Sequence, residues 1–257
     1  MNVMQLFDLT GKTAIVTGGG RGLGKQIAEG FAEAGANVVI CSRKREACEA
    51  VSEELKEAGV KSLAFECDVT NQEQVQHVVD ETMKEFGHID ILVNNSGASW
   101  GAPVVEMPLQ AWHKVMEVNV TGTFLFAQAV GKEMIKQKSG KIINIASVAG
   151  LGGADPRYMD AIGYNTSKGA VITFTKDLAV KWGSYNINVN AIAPGFFPTK
   201  MSKGLIDAGG ERMLETTPLN RFGTDDDLKG AALFLASNAS NYVTGDILIV
   251  DGGQHAM

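Results

Sequence analysis

The chain contains a tyrosine and a lysine four residues apart, a spacing that could support catalysis. Of the four tyrosines, Tyr164 alone is followed four positions later by a lysine, Lys168. On a helix this spacing places both side chains on one face. A free phenol is a poor base at neutral pH, but a nearby ammonium group favours the phenolate and lowers its pKa. The pair predicts a phenol that exchanges a proton with a substrate; the alternative is a tyrosine at a helix start and a surface lysine.

Two polar residues upstream could assist this pair. Ser147 follows the run 141–146, which predicts a strand, so its hydroxyl could bind a carbonyl oxygen or cap the next turn. The G-x-S-x-G signature of hydrolases does not surround it. Asn119 lies in a helical pattern, where asparagine is intrinsically unfavourable, and this favours a functional role. The alternative for Asn119 is an amide that bonds the backbone.

A glycine-rich turn after the first predicted strand could hold a phosphate. It reads TGGGRGLG from residue 17 to residue 24, which departs from the usual G-x-G-x-x-G spacing. Glycines let the backbone approach a pyrophosphate, and the helix that follows offers free N–H groups. A plain glycine-rich turn is the alternative. The residues predicted to contact the cofactor here are Gly18, Arg21, Gly22, Leu23 and Gly24.

The end of the second predicted strand indicates which cofactor would bind. An NAD site carries an acid about 20 residues after the glycines, to bond the ribose 2′-hydroxyl. This chain has Ser42 there, followed by Arg43. Arg43 and Arg21 could both bond a 2′-phosphate, which an unpaired carboxylate would repel. We therefore predict NADP(H), unless both arginines are merely solvated surface residues.

Strands and helices alternate along the chain. The predicted strands are 13–17, 37–41, 62–66, 89–94, 141–146, 187–192 and 247–250. The predicted helices are 22–34, 44–58, 71–86, one or two within 109–138, 164–182 and 225–236. Several strands are apolar on both faces, which is typical of parallel sheets covered by helices. We predict an α/β fold: a single doubly wound, Rossmann-like domain over 1–257, with an about seven-stranded parallel sheet.

Local signals refine this prediction at three places. Thr70 with Glu73 forms a capping box at the start of the third helix, and Thr224 is a candidate cap for the last helix. The span 196–225 is long and contains glycines, so we expect a loop that acts as a substrate lid.

These motifs, in this order, resemble the classical short-chain dehydrogenase/reductase family over essentially the whole chain. The resemblance implies that Tyr164 is the general acid/base, that Lys168 binds the nicotinamide ribose and lowers the pKa of Tyr164, that Ser147 polarises the carbonyl, and that Asn119 holds a proton-relay water. It also implies further cofactor contacts at Asp68 and Val69 (adenine), at Asn95, Ser96 and Gly97 (adenosine ribose), and at Pro194, Gly195 and Thr199 (nicotinamide). One departure is the seventeen-residue separation of Ser147 and Tyr164, which is longer than usual in the family.

Within that family, three stretches most resemble gluconate 5-dehydrogenase-type members, which interconvert a sugar acid and its keto acid. These stretches are 6–12, 177–183 and 217–223. Reductases of 3-oxoacyl-carrier-protein and glucose 1-dehydrogenases share most of the motifs and are alternatives. A non-catalytic NADP sensor on the same fold is an alternative from another class.

Composition and charge limit the partners. Lys plus Arg number 23 and Asp plus Glu 29, for a net charge of −6, so we expect a small-molecule substrate and neither nucleic acid nor membrane.

The three cysteines form no C-x-x-C and no signal peptide is visible, which favours reduced thiols in the cytoplasm. The four histidines lack metal-ligand spacing, so we predict no metal. Apolar residues on the helical patterns 109–138 and 164–182, together with the family resemblance, predict a homotetramer.

Overall fold

Seven parallel strands form one sheet in the computed structural model, which describes residues 2–157 and 159–257. The strands are β1 (Thr13–Thr17), β2 (Asn37–Ser42), β3 (Ser62–Glu66), β4 (Ile91–Asn94), β5 (Gly140–Ile145), β6 (Ile187–Pro194) and β7 (Ile247–Val250). Their order is β3-β2-β1-β4-β5-β6-β7, so the chain reverses direction across the sheet between β1 and β4. This confirms the predicted doubly wound, Rossmann-like fold.

Helices cover both faces of this sheet. They are α1 (Gly22–Glu33), α2 (Arg45–Glu57), α3 (Gln72–Phe86), α4 (Leu109–Met116), α5 (Gly122–Gln137), α6 (Ile162–Trp182), α7 (Lys203–Glu215) and α8 (Lys229–Ala236). A π-helical turn, Glu117–Thr121, joins α4 to α5 without a break. The pattern 109–138 therefore contains two helices with a local widening between them.

The core has two main parts because successive strand residues point to opposite faces. In β2, Val38 and Ile40 belong to a first cluster, on the face covered by α1, α2 and α8. Val39 and Cys41 belong to a second cluster, which packs against α3, α5 and α6. Burial on both faces explains why residues 38–41 of β2 are apolar without alternation.

Two predicted helix starts are wrong. The amide oxygen of Asn71 accepts from the backbone N–H of Gln74 at 3.0 Å and caps α3, whereas the Thr70 hydroxyl donates to Asp68 at 2.8 Å. Asn71 is the better placed cap because it directly precedes the first helical residue. The last helix begins at Lys229, and Thr224 does not cap it, since its hydroxyl donates to Asp227 at 2.8 Å.

The span 196–225 is more ordered than a loop. It contains α7, a thirteen-residue helix that departs from helical geometry at Gly209. The expectation of a loop throughout this span is therefore wrong, because its glycines kink a helix without preventing it.

Candidate active site

A cavity of about 1270 Å³ opens at the carboxyl ends of the strands. Its lining brings together most of the residues singled out in the sequence: Gly18, Arg21, Gly22, Leu23, Ser42, Arg43, Asp68, Val69, Asn95, Ser96, Gly97, Ser147, Tyr164, Lys168, Pro194, Gly195 and Thr199. Gly24 and Asn119 are not part of this lining. The position agrees with the general rule that ligands of open α/β sheets bind where the strand order reverses.

The glycine turn is shaped to bring backbone close to a ligand. Gly18 and Gly22 have φ of +68° and +55°, which a residue with a side chain adopts only with strain. Arg21 precedes α1 and its side chain does not cap the helix, so the first N–H groups of α1 have no side-chain partner there. Gly24 serves packing, because a Cβ at this position would lie 2.4 Å from Asn95 Nδ2.

Asn119 uses its amide to fix the neighbouring loop. Its Oδ1 accepts from the backbone N–H of Ala98 at 2.7 Å, and its Nδ2 donates to the Ala98 carbonyl at 2.9 Å and to Ser167 Oγ at 2.8 Å. The side chain is 1% exposed. Asn119 thus joins the π-helical turn to α6 and to the loop after β4, and it is an amide satisfied largely by backbone. Its role in holding a water stays a prediction.

Tyr164 and Lys168 lie together on α6. The Lys168 ammonium is 5.6 Å from the centroid of the Tyr164 ring and donates to the Ile145 carbonyl at 2.6 Å. Burial lowers the pKa of Lys168 to about 8. Burial raises the pKa of Tyr164, while the Ser147 side chain acts in the opposite direction. The expected lowering of the Tyr164 pKa is therefore wrong for the protein alone, because burial disfavours the phenolate by more than the hydrogen bond with Ser147 favours it.

Ser147 lies where β5 ends and has two roles. Its hydroxyl accepts from the backbone N–H of Ala149 at 3.2 Å, capping the short turn Val148–Gly150. It also lines the cavity, and its hydrogen bond with Tyr164 acts to lower the pKa of the phenol. The capping and the chemical interpretations of this serine are thus compatible.

Three basic residues also line the cavity. They are Arg21, Arg43 and Lys44, and Ser42 lines it as well. Burial raises the pKa of Asp68, but hydrogen bonds from Thr70 and the charge of Arg43 outweigh this and lower it overall. Lys44 was not among the residues predicted from the sequence, although it directly follows Arg43 and is also basic.

The long segment between Ser147 and Tyr164 forms part of the cavity rim. Met159 lines the cavity, and the carbonyl of Asp160 accepts from the backbone N–H of Ala102 at 2.9 Å. Tyr158 lies outside the described residues. Further apolar lining residues are Val148, which the sequence did not reveal, and Phe196, Phe197, Met201 and Leu205, which lie within the predicted lid span 196–225.

Comparison with known proteins gives full-length matches. Residues 18–255 match the family model described as enoyl-(acyl carrier protein) reductase. The 5-keto-D-gluconate 5-reductase of Escherichia coli (strain K12) is 39% identical over 250 residues, which cover 96% of this chain and 97% of that protein. The 3-oxoacyl-[acyl-carrier-protein] reductase FabG of Chlamydia muridarum (strain MoPn / Nigg) is 41% identical over 246 residues, or 95% and 98% of the two chains.

A solved structure matches equally well. The crystal structure of a gluconate 5-dehydrogenase from Burkholderia cenocepacia J2315, in complex with NADP and tartrate, has a TM-score of 0.94 and 39% identity over 100% of both chains. Among the described residues, no helix is long and apolar enough to cross a membrane. The sheet order, the site and these matches show that the chain belongs to the short-chain dehydrogenase/reductase family of oxidoreductases.

Proposed function

We propose that the protein is an NADP(H)-dependent oxidoreductase that interconverts a secondary alcohol and a ketone, with a sugar acid and its keto acid as substrates. The observation that carries the proposal is the arrangement of a single cavity. Tyr164, Lys168 and Ser147 line it together with the glycine turn, and so do Ser42 and two arginines. The 5-keto-D-gluconate reductase and the NADP complex among the relatives support the substrate and the cofactor.

The residues present fit a dinucleotide phosphate. The positive φ values of Gly18 and Gly22 and the uncapped start of α1 suit a pyrophosphate. Arg21 and Arg43 offer charge-assisted bonds to a 2′-phosphate, with Ser42 where an NAD site carries an acid. The remaining cofactor contacts in the proposal are those that the family resemblance implies: Asp68, Val69, Asn95, Ser96, Gly97, Pro194, Gly195 and Thr199.

In the proposed reaction, the bound nicotinamide supplies or accepts the hydride. Tyr164 holds the proton that the substrate oxygen gains on reduction and takes it back on oxidation. Ser147 donates to the carbonyl oxygen and keeps it near the phenol. Lys168, anchored on the Ile145 carbonyl, places a positive charge beside the Tyr164 ring, which favours the phenolate and acts against the effect of burial. Asn119 holds a relay water.

A second substrate class has a specific observation in its favour. In addition to Ser147, the cavity lining includes the apolar residues Val148, Met159, Phe196 and Met201. Apolar lining residues suit the acyl chain of a 3-oxoacyl thioester better than a polyol. The relative from Chlamydia muridarum has that activity in its name.

A substrate panel tests the proposal. Keto acids, sugars and 3-oxoacyl thioesters are each assayed with NADPH and with NADH. We expect the highest kcat/KM with a sugar-derived keto acid and NADPH. A preference for the thioester supports the second substrate class, and NADPH binding without turnover of any compound indicates a sensor.

Cofactor choice has its own test. Ser42→Asp combined with Arg43→Ala places a carboxylate at the ribose and removes a cation, so we expect the preference to move from NADPH toward NADH. Equal or higher kcat/KM with NADH in the wild-type protein would contradict the NADP(H) assignment.

The proposal includes a homotetramer, a substrate lid over 196–225 and a location in the cytoplasm. Phe124 on α5 and Val180 on α6 are 44% and 85% exposed, so each of these helices has an apolar side chain that a second copy could cover. The three cysteines are free, which fits a reducing compartment. A monomer mass by light scattering at micromolar concentration would contradict the tetramer.

A further inference from the structure

We propose that Cys48 positions the Ser42 hydroxyl to donate to the 2′-phosphate of NADP(H), and so contributes to cofactor discrimination without touching the cofactor. Cys48 would be a positioning residue, since it acts through Ser42. The inference rests on the proposed NADP(H) dependence.

The contact between the two side chains is direct. Ser42 is the last residue of β2 and lines the cavity, whereas Cys48 lies in the first turn of α2 and is 0% exposed. The Cys48 Sγ is 3.1 Å from the Ser42 Oγ. The backbone N–H of Lys44 donates to the same oxygen at 3.2 Å, and the Lys44 carbonyl is 3.2 Å away as an acceptor.

These contacts determine which hydrogen-bonding group of the Ser42 hydroxyl is available to a ligand. A hydroxyl has one proton to donate and two lone pairs that accept. The Lys44 N–H takes one lone pair and the Cys48 S–H takes the other, which leaves the proton. A phosphate oxygen accepts that proton in a charge-assisted bond, which is stronger than the bond to the Lys44 carbonyl. Ser42 thereby becomes a donor, as an anionic ligand requires.

The thiol can keep this role because it stays protonated. Burial raises the pKa of Cys48, and the hydrogen bond with Ser42 only partly opposes the effect. A protonated thiol is a hydrogen-bond donor, whereas a thiolate would be an acceptor and would compete with the phosphate for the Ser42 proton.

Packing holds Cys48 in place. It belongs to the buried face of α2, together with Val51 and Leu55. The glycine turn lies close to the same turn of α2, because a Cβ added at Gly20 would lie 3.2 Å from the Ala47 Cβ and 3.3 Å from the Cys48 nitrogen. Burial of the thiol and the approach of the glycine turn both favour a fixed position of Cys48 beside Ser42.

The chain offers a matched control. Cys41 is also 0% exposed and directly precedes Ser42, but its side chain belongs to the second core cluster, on the face opposite Cys48. A Cys41→Ala variant removes the same thiol group at the same depth without removing the contact to the Ser42 hydroxyl.

The experiment compares dissociation constants for NADPH and NADH by fluorescence titration. The variants are Cys48→Ala, Cys48→Val, Cys48→Ser, Cys41→Ala, Ser42→Ala and the Ser42→Ala/Cys48→Ala double. We expect Cys48→Ala and Cys48→Val to weaken NADPH binding by about 3- to 10-fold, and NADH binding by less than twofold. Cys48→Ser keeps a donor and should restore most of the NADPH affinity. Val and Ser fill the space that Ala leaves, so the set remains informative if Cys48→Ala does not fold.

Each result has a defined meaning. A lowered NADPH preference that appears in the non-donor Cys48 variants, but not in Cys41→Ala or on top of Ser42→Ala, supports the inference. Equal losses for both cofactors, or an undiminished Cys48→Ala effect in the Ser42→Ala background, overturn it. A wild-type protein that binds NADH as tightly as NADPH contradicts the proposed function itself, and with it the inference. A wild-type NADPH preference that Cys48→Ala leaves unmoved overturns the inference alone.

Discussion

Two buried lysines lie at opposite ends of β5, and the pKa of each is lowered to the same extent. Lys141 is near the start of the strand and is 9% exposed. Lys168 is 5% exposed and its ammonium donates to the carbonyl of Ile145, the last residue of the strand. Burial lowers the pKa of each to about 8. Desolvation alone therefore makes the two lysines equivalent.

Their surroundings separate them. Lys168 faces the cavity, with the Tyr164 ring centroid 5.6 Å from its ammonium. Lys141 has the Ser240 hydroxyl at 3.4 Å and does not line this cavity. A lowered lysine pKa marks a functional site only where a cavity and a partner group accompany it.

The largest expected effect on activity comes from removing the hydroxyl of Tyr164, the neighbour that Lys168 has and Lys141 lacks. Tyr164→Phe deletes the phenol but leaves the lysine and the ring, so kcat should fall by about 10²- to 10⁴-fold. NADPH affinity should change little, because the phenol is not the main anchor of the cofactor. Steady-state kinetics and a binding titration measure the two quantities. Near wild-type turnover in the variant, together with loss of activity on adding a chelator, would replace this mechanism with a metal-dependent one.

The same substitution at the two lysines gives the next largest contrast. Lys168→Met should lower kcat/KM by about 10²-fold and weaken NADPH binding, since it removes the cation beside Tyr164 and the proposed contact with the nicotinamide ribose. Lys141→Met should leave kcat/KM within twofold of the wild-type value. If both variants lose activity equally, the two lysines do not differ in function as their surroundings indicate.

The dependence of rate on pH sharpens the comparison further. Burial raises the pKa of Tyr164, so the phenolate is the minor form at neutral pH. Alcohol oxidation needs the phenolate and should accelerate up to tenfold per pH unit below the pKa of Tyr164 in the complex, whereas carbonyl reduction needs the phenol and should not. Rate profiles from pH 6 to pH 10 in both directions test this. An alkaline limb of the same size in Tyr164→Phe would assign it to another group.

The sequence predicted the sheet well, and most of the residues it singled out line one cavity, for physical reasons. Continuous apolar runs such as 38–41 require burial on both faces, and parallel topology then places the motifs that follow strands at one edge. It did not predict α7, because Gly204, Gly209 and Gly210 weaken the helical signal.

Contacts between residues distant in sequence could not be predicted. The Asn119 side chain forms hydrogen bonds with Ala98 and Ser167, and the local sequence pattern does not indicate these partners. The pKa of Tyr164 was also misjudged, because the Y-x-x-x-K spacing reveals the charge of Lys168 but not the desolvation of the phenol.

The smallest expected effect is on the free energy of unfolding. It concerns Lys141, the lysine that does not line the cavity. Lys141 binds its proton more weakly in the folded chain, with a pKa of about 8, than in the unfolded chain, where the ordinary value is 10.5. Between these two pH values the unfolded state holds more protons, so the free energy of unfolding should rise as pH increases from 8 toward 10.5. Below pH 8 both states are charged and the burial penalty is fully present.

Replacing Lys141 with Met removes this penalty. At pH 7 the variant should be more stable than the wild type by about 2 kcal/mol, and the advantage should shrink as the pH rises above 8. Denaturant unfolding at pH 7, 8.5 and 10 measures it. Lys168→Met is the matched variant, because burial penalises its ammonium to the same extent, but its stabilisation should come with the loss of activity. A destabilised Lys141→Met at pH 7 would show that the Ser240 contact outweighs desolvation.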